Sequence, residues 1–354
     1  MMRTLFNEKE LTSTGKCYKT YGLYGGAPYS EIEYINMPIT PLENFKRFLA
    51  HRDDYEWIPD GYCDYYEITP EINPDNHAMG YEGGVDSFGV LWEALENGLP
   101  ALVRPGNYKL EDISEWESLT FPEPEKWGLD KEAENYLAAA DHTRPFRGWI
   151  NISLFERLID VLGFENAAMG LLTDPEATSA FLDKVSDFNC KLIDYYAKDY
   201  KVDEICISDD WASQKSPFFS EAVARDVLLP PLKKMADRAH SYGLPVMLHS
   251  CGNGVAHIPV WIDAGINMWQ FQENAVDIPK AIDAAGDKLI LEGYWVMPEG
   301  LDEEGQEAFM RKIYSSYCYA GNVAVSFCNA DYLVTPFIRK KAYELSRKTA
   351  TGML

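Results

Sequence analysis

Leu244-Pro245-Val246-Met247-Leu248-His249-Ser250-Cys251-Gly252-Asn253-Gly254 is the stretch on which the rest of the chain turns. Leu244 to Leu248 has the length and apolarity of a buried strand, and Gly252-Asn253-Gly254 marks a tight turn. His249 and Cys251 stand between them at i and i+2. Extended geometry points both side chains to one side of the strand. An imidazole and a thiolate converging at a strand's end form a donor pair suited to zinc. The alternative is a buried His and a buried Cys beside a turn, and the flanking chain has to decide.

Outward from this stretch the chain keeps one rhythm. Downstream come a helix near Ile258–Ala264, strand Asn267–Phe271, helix Ile278–Ala285 and strand Lys288–Leu291. Helix Glu303–Ala320, strand Asn322–Phe327 and a closing helix, Pro336–Lys348, complete that side. Upstream, strand Arg147–Ile152 precedes a helix around Leu154–Leu162. A long amphipathic helix then runs from about Asp174 to Tyr200, with Asp174-Pro175 as cap and first position. Strand Glu204–Ser208 follows, then a helix from about Ser220 to Tyr242 that Pro230-Pro231 should break or kink. Strands separated by helical pattern predict βα units and a parallel sheet. With an early strand in the aromatic-rich region Tyr55–Gly84, seven strands are legible, and an eighth is expected within residues 85–105. The expected fold class is therefore α/β, a (β/α)8 barrel. A doubly wound open sheet is the alternative, but no Gly-rich phosphate fingerprint follows any strand. One domain is expected over residues 1–354, with 1–54 an N-terminal helical or irregular extension packed on it. That extension shows no clean alternation and holds one predicted helix, Leu42–His51.

Composition narrows the function. Apolar content of 46% supports a large core, and no stretch approaches the ~18 apolar residues of a membrane span. The first ten residues, Met1 to Glu10, lack the apolar core of a signal peptide. A soluble, cytoplasmic protein is expected. The formal charge of −24 argues against nucleic acid and against anionic lipid. Seven irregularly spaced cysteines fit reduced thiols better than a disulfide framework. Cys17, Cys63, Cys190, Cys206 and Cys318 read as small apolar residues. Asp75-Asn76-His77-Ala78-Met79-Gly80 spells D-x-H-x-x-G, with which cobalamin domains offer a histidine to cobalt. Pro70 and Pro74 break any strand before it, so the match is read as coincidence and no resident cobalamin domain is expected.

Barrel enzymes carry their chemistry at the C-terminal ends of strands. Here those ends hold Asp209, Asp210 and Trp211; His249 and Cys251; Gln270, Gln272, Glu273 and Asn274; Glu292; and Cys328, Asn329 and Asp331. A third soft ligand at matching height makes His249, Cys251 and Cys328 an expected zinc set across the barrel mouth. Cys2His with one open position is a catalytic rather than a structural pattern. Glu292 or Glu273 is the expected fourth ligand when substrate is absent, and Glu292 counts among the catalytic candidates. Asp209 and Asp210 are expected to orient substrate or carry a proton, or else to cap backbone amides of the next turn. Trp211, Gln270, Gln272, Glu273 and Asn329 are the expected substrate contacts. His257 is expected at the surface, at the start of a helix.

These segments resemble a known superfamily. Ser208-Asp209-Asp210-Trp211-Ala212-Ser213-Gln214-Lys215-Ser216-Pro217-Phe218-Phe219 is similar to the Asp-Trp-Ala-Gly-x-x-x-Ser-Pro segment of the uroporphyrinogen decarboxylase superfamily. Leu229–Lys234, Leu248–Asn253 and Gly265–Gln270 continue the resemblance, which spans roughly residues 147–350. It implies a (β/α)8 barrel. The decarboxylases carry an N-terminal Arg-Gln-Ala-Gly-Arg element, and nothing like it stands here; only Arg3, Arg47 and Arg52 precede Arg104. The corrinoid-dependent methyltransferase branch has H-x-C and a later Cys, which His249, Cys251 and Cys328 match. That branch implies Zn2+, a separate corrinoid protein as partner, and methyl transfer. In some members zinc activates a thiol; in others it acts on an ether oxygen. With 13% aromatic residues, clustered at 55–66 and 261–271, the expectation is demethylation of a methoxylated small molecule, a phenyl methyl ether by preference. The alternatives are a methylcobalamin:thiol methyltransferase and a uroporphyrinogen decarboxylase-type enzyme.

Overall fold

The computed structural model describes residues 3–21, 29–50, 55–96 and 99–354. Strands β1 (Ser13–Tyr21) and β2 (Tyr29–Ile35) pair antiparallel, and α1 (Pro41–Ala50) follows. After β3 (Tyr66–Ile68) and the short α2 (Pro74–Ala78) come three brief strands, β4 (Gly83–Val85), β5 (Leu91–Glu93) and β6 (Leu102–Val103). Helix α3 (Leu129–Ala139) leads to β7 (Phe146–Ile150), α4 (Phe155–Leu162), α5 (Phe164–Thr173) and α6 (Pro175–Lys198). Next are β8 (Glu204–Ser208), α7 (Glu221–Val223), a π-helical turn over Ala224–Leu228, and α8 (Leu229–His240). Then come β9 (Val246–Ser250), α9 (Ile258–Ala264), β10 (Met268–Phe271) and α10 (Ile278–Ala285). The chain closes with β11 (Ile290–Val296), α11 (Glu303–Tyr317), β12 (Val323–Cys328) and α12 (Pro336–Ala350).

The class is α/β. Seven strands hydrogen-bond in the order β12-β11-β10-β9-β8-β7-β3, and the pairs β7–β8, β8–β9 and β11–β12 are parallel. They correspond to the seven legible in the sequence. Among the described residues, the eighth strand expected in residues 85–105 is absent from that sheet. β4, β5 and β6 form an antiparallel sheet of their own instead. Pro100, Pro105 and Gly106 punctuate this region and leave extended pieces of only two or three residues.

By backbone proximity the chain divides into two compact units. One comprises Met1–Tyr66, Asp141–Pro145 and Phe271–Leu354; the other, Glu67–Ala140 and Phe146–Gln270. In the second unit β8 aligns Ile205 with Val246 and Ser208 with His249 of β9. Every residue of β8 from Glu204 to Ile207 is buried, which is why the segment reads as a continuous apolar run. Glu204 itself is neutralised by Arg147, at 2.6 Å. Helices α6 and α8 pack together. Asp174 caps α6 by accepting the Ala177 amide at 3.1 Å, with Pro175 in the first position. Pro230 and Pro231 carry no N–H for the preceding turn, and the chain widens into the π turn just before them. Arg157 is buried against Asp86 (2.5 Å) and Asp75 (2.9 Å). Asp75 of the D-x-H-x-x-G match is thus committed to an internal ion pair.

In the first unit β11 and β12 run in register from Leu291↔Val323 to Val296↔Cys328. The N-terminal stretch, expected to be irregular, contributes the β1–β2 ribbon. Strand β1 is mostly exposed and polar, so no apolar alternation betrays it. Arg347 of α12 binds Glu10 at 2.9 Å and Glu56 at 2.8 Å, and Tyr343 donates to Glu10 at 2.7 Å. The predicted helix Leu42–His51 corresponds to α1; His51 lies outside the described residues. All seven cysteines are free thiols. Cys17, expected to behave as an apolar residue, is exposed on β1.

Candidate functional site

The β8–β9 register sets Ser208 beside His249, and the chain beyond each strand end continues alongside the other. Cys251 donates its amide to Asp210 Oδ1 at 2.6 Å, and Asp209 donates its own amide to the His249 carbonyl at 3.0 Å. Trp211 donates its amide to Ser250 Oγ at 3.0 Å, and Asn253 donates to the Ser213 carbonyl at 2.8 Å. Gly252 has φ +76°, and a Cβ there would collide with the Ala212 and Ser213 carbonyl oxygens. Only glycine lets the His-x-Cys turn lie so closely against the Asp-Asp-Trp-Ala-Ser segment.

This docking gathers three donors of different chemistry. Cys251 Sγ lies 3.4 Å from His249 Nε2, and Asp210 Oδ1 lies 3.9 Å from the same nitrogen. One ligand atom from each of Asp210, His249 and Cys251 falls within 4.8 Å of the others, the one such trio among the described residues. All three are partly exposed, so the cluster faces outward rather than sealing a core. On the far side of the imidazole, Nδ1 stands 2.7 Å from Gln270 Oε1. An amide oxygen only accepts, so Nδ1 carries the hydrogen and Nε2 presents its lone pair towards Cys251. Nitrogen, sulfur and carboxylate oxygen are the donors zinc takes, with the imidazole tautomer held by an outer partner. The residues fit such an ion.

The neighbours of the trio define its surface. The Trp149 ring lies 6.3 Å from the His249 ring, tilted by 56°. Asp209 is fully buried and accepts the Phe155 and Glu156 amides at 3.1 and 3.0 Å, and Trp211 Nε1–H at 2.6 Å. It holds the start of α4, an earlier helix rather than the next turn, and does not reach out to substrate. Burial pushes its carboxyl up to about 6, against the pull of those donors. Trp211, an expected substrate contact, is likewise fully buried, among Phe219, His257 and Trp261. His257, expected at the surface, has no exposure at all and packs among the Trp211, Phe219 and Trp261 rings.

The remaining candidates belong to the other unit. Cys328 ends β12, where Tyr62 OH donates to its sulfur at 3.6 Å. Burial pushes this thiol up to about 11, the tyrosine partly opposing. Glu273 is raised by burial, and its charge bears on both Tyr62 and Cys328. Glu292 is fully buried and accepts from Tyr294 OH at 2.8 Å. Gly61 sits where a Cβ would strike that hydroxyl. Asn329 Oδ1 accepts the Asp331 and Leu333 amides at 3.0 and 2.9 Å, which closes a turn. Gln272 is half-buried at the end of β10 and accepts the Ala275 amide through its carbonyl at 3.1 Å.

Residues 151–307 match the uroporphyrinogen decarboxylase (URO-D) family model. The match takes in both docked segments, Ser208–Phe219 and Leu248–Gly254. No curated protein matches the chain. Among solved structures, a D-psicose 3-epimerase determined with D-fructose is 12% identical over 67% of this chain and 84% of its own, at a TM-score of 0.34. A sugar phosphate isomerase/epimerase from Parabacteroides distasonis is 10% identical over 61% of this chain and 78% of its own, also at 0.34. Such loose likenesses carry no functional weight. No described helix is long and apolar enough to cross a membrane.

Two residues near the trio escaped the sequence reading. Trp149 lies near the end of β7, and Glu156 in the first turn of α4, the helix that follows it. The signal was there in both cases, since each follows or closes a strand of the same parallel set.

Proposed function

We propose that the chain is a zinc-dependent methyltransferase that passes a methyl group from a methoxylated aromatic compound to the Co(I) of a separate corrinoid protein. The observation that carries this reading is the Cys251–His249 pair, 3.4 Å apart, with Gln270 fixing the imidazole tautomer. His249 and Cys251 would hold the ion; the resemblance to the corrinoid-dependent branch adds Cys328 as a further thiolate. Bound zinc would supply a Lewis acid for an ether oxygen. Gln270 keeps Nε2 free of its proton, and Asp210, by accepting the Cys251 amide, fixes the backbone from which the thiolate projects. Trp149 offers a flat apolar wall to an aryl ring beside the centre. The resemblance implies that the cobalt is carried by a separate corrinoid protein.

The family match also favours a decarboxylase reading. Opposing it is the charge at the trio, where Asp210 would repel a polycarboxylate. The test is to supply the purified chain with zinc, a reduced corrinoid protein and a panel of methoxylated benzenes. Conversion of the Co(I) absorbance to that of the methylated corrinoid is expected, and His249→Ala should abolish it while substrate binding weakens less. Turnover of uroporphyrinogen, or full activity in His249→Ala, would reverse the ranking.

A further inference from the structure

We infer that Glu67 is a specificity-determining residue of this site. Its carboxylate, set beside the Trp149 indole, favours a methoxylated ring that is cationic or uncharged over one bearing a carboxylate. This role rests on the aryl ether reading proposed above. Strand register brings the parts together. β7 and β8 align Trp149 with Cys206, and β8 and β9 align Cys206 with Met247. Side chains alternate along a strand, so His249, two residues beyond Met247, faces the same side as Trp149. Their ring centroids lie 6.3 Å apart. Glu67 on β3 reaches that face as well. Its Oε2 accepts Trp149 Nε1–H, and its Oε1 lies 3.7 Å from Arg147 Nη1. Glu67, Trp149, His249 and Asp210 all belong to one compact unit.

The indole is only partly buried, and the Glu67 side chain is 39% exposed. A ring laid on the indole face therefore lies close to an open carboxylate. Arg147 does not offset that charge for a ligand. Its guanidinium is fully buried and is shared with Glu204, 2.6 Å away. One cation between two carboxylates leaves a negative balance beneath the indole. An ion held by the trio would not reverse it, because the Cys251 thiolate and the Asp210 carboxylate would match its two charges. The indole face itself attracts a cation. Wall and charge thus select in the same direction.

Glu67→Gln tests the role, since the amide oxygen can still accept the indole N–H while the charge is gone. The probes are veratrylamine, veratryl alcohol and veratrate, which share a dimethoxylated ring and differ in charge. Calorimetric titration with a chelator present keeps any ion from holding veratrate. Wild type should bind the amine tightest and veratrate weakest, the two at least about 10-fold apart. Glu67→Gln should shrink that gap about 10-fold, while the uncharged alcohol shifts least. Trp149→Ala should weaken all three, which places the ring on the indole. Veratrate binding as tightly as the amine, a gap left intact by Glu67→Gln, or unweakened binding in Trp149→Ala overturns the role. So does binding by none of the three. The corrinoid assay separates this role from the reading beneath it. The expected binding order without methylated corrinoid refutes only methyl transfer, and methylated corrinoid without that order refutes only the role of Glu67.

Discussion

Gln270 shows how much of this site depends on residues that never meet the ion. Its Oε1 holds the His249 Nδ1 hydrogen at 2.7 Å, and loss of such an outer partner typically lowers metal affinity 10- to 100-fold, roughly. Gln270→Leu should therefore bind zinc weaker by about that factor in competition with a chromogenic chelator; unchanged affinity would mean the contact is incidental. Cys251→Ala should lose most bound zinc, yet keep its circular dichroism, because the trio stands partly exposed at a strand end. A variant that unfolds outright would make the centre structural. His257 gives a pH signature of its own. Burial drops its imidazole to about 4, only partly opposed by Glu221, whereas in the unfolded chain it titrates near 6.5, roughly. Between those values the unfolded chain binds the extra proton, so stability falls as pH drops through the window, by on the order of 3 kcal/mol. His257→Phe, which the Trp211, Phe219 and Trp261 rings should accept, ought to flatten that dependence in urea unfolding at about pH 5 and 7.5. An unchanged slope would contradict it.

Asp209 acts at the scale of an element. Three donors rest on its buried carboxylate, two of them the first amides of α4. Asp209→Ala should cost at least about 2 kcal/mol in denaturant unfolding, because those donors lose their acceptor where water is excluded. Full stability with lost activity would instead make Asp209 catalytic, as its strand-end position suggested. Most βα units were legible because their strands are buried on both faces and their helices carry clear caps. Asp174-Pro175 before α6 and Asp277-Ile278-Pro279 before α10 are examples, each with the aspartate accepting a first-turn amide. What escaped was whatever lacked such patterning. Strand β1 is mostly exposed, and α3 (Leu129–Ala139) buries only Leu129 and Ala133. In β4–β6 the strands are too short for any period to show.

For the whole molecule, the formal charge of −24 makes self-repulsion a standing cost. Raising ionic strength from low to physiological should lift the melting temperature by screening it, and no rise would contradict that cost. The pairing of His249 with Cys251 was legible from a two-residue spacing on one strand. The part of Asp210 was not, since it depends on the register of β8 against β9, which no single segment encodes. Burial misled in the opposite sense: Trp211 sits at a strand end in sequence but turns inward to the core. Zinc X-ray absorption on the chain reconstituted with one equivalent of metal tests the central claim most directly. The account predicts tight uptake with both sulfur and imidazole nitrogen in the coordination shell, and loss of the sulfur contribution or of the ion in Cys251→Ala. Failure to take up zinc, or a shell of oxygen alone, would contradict it.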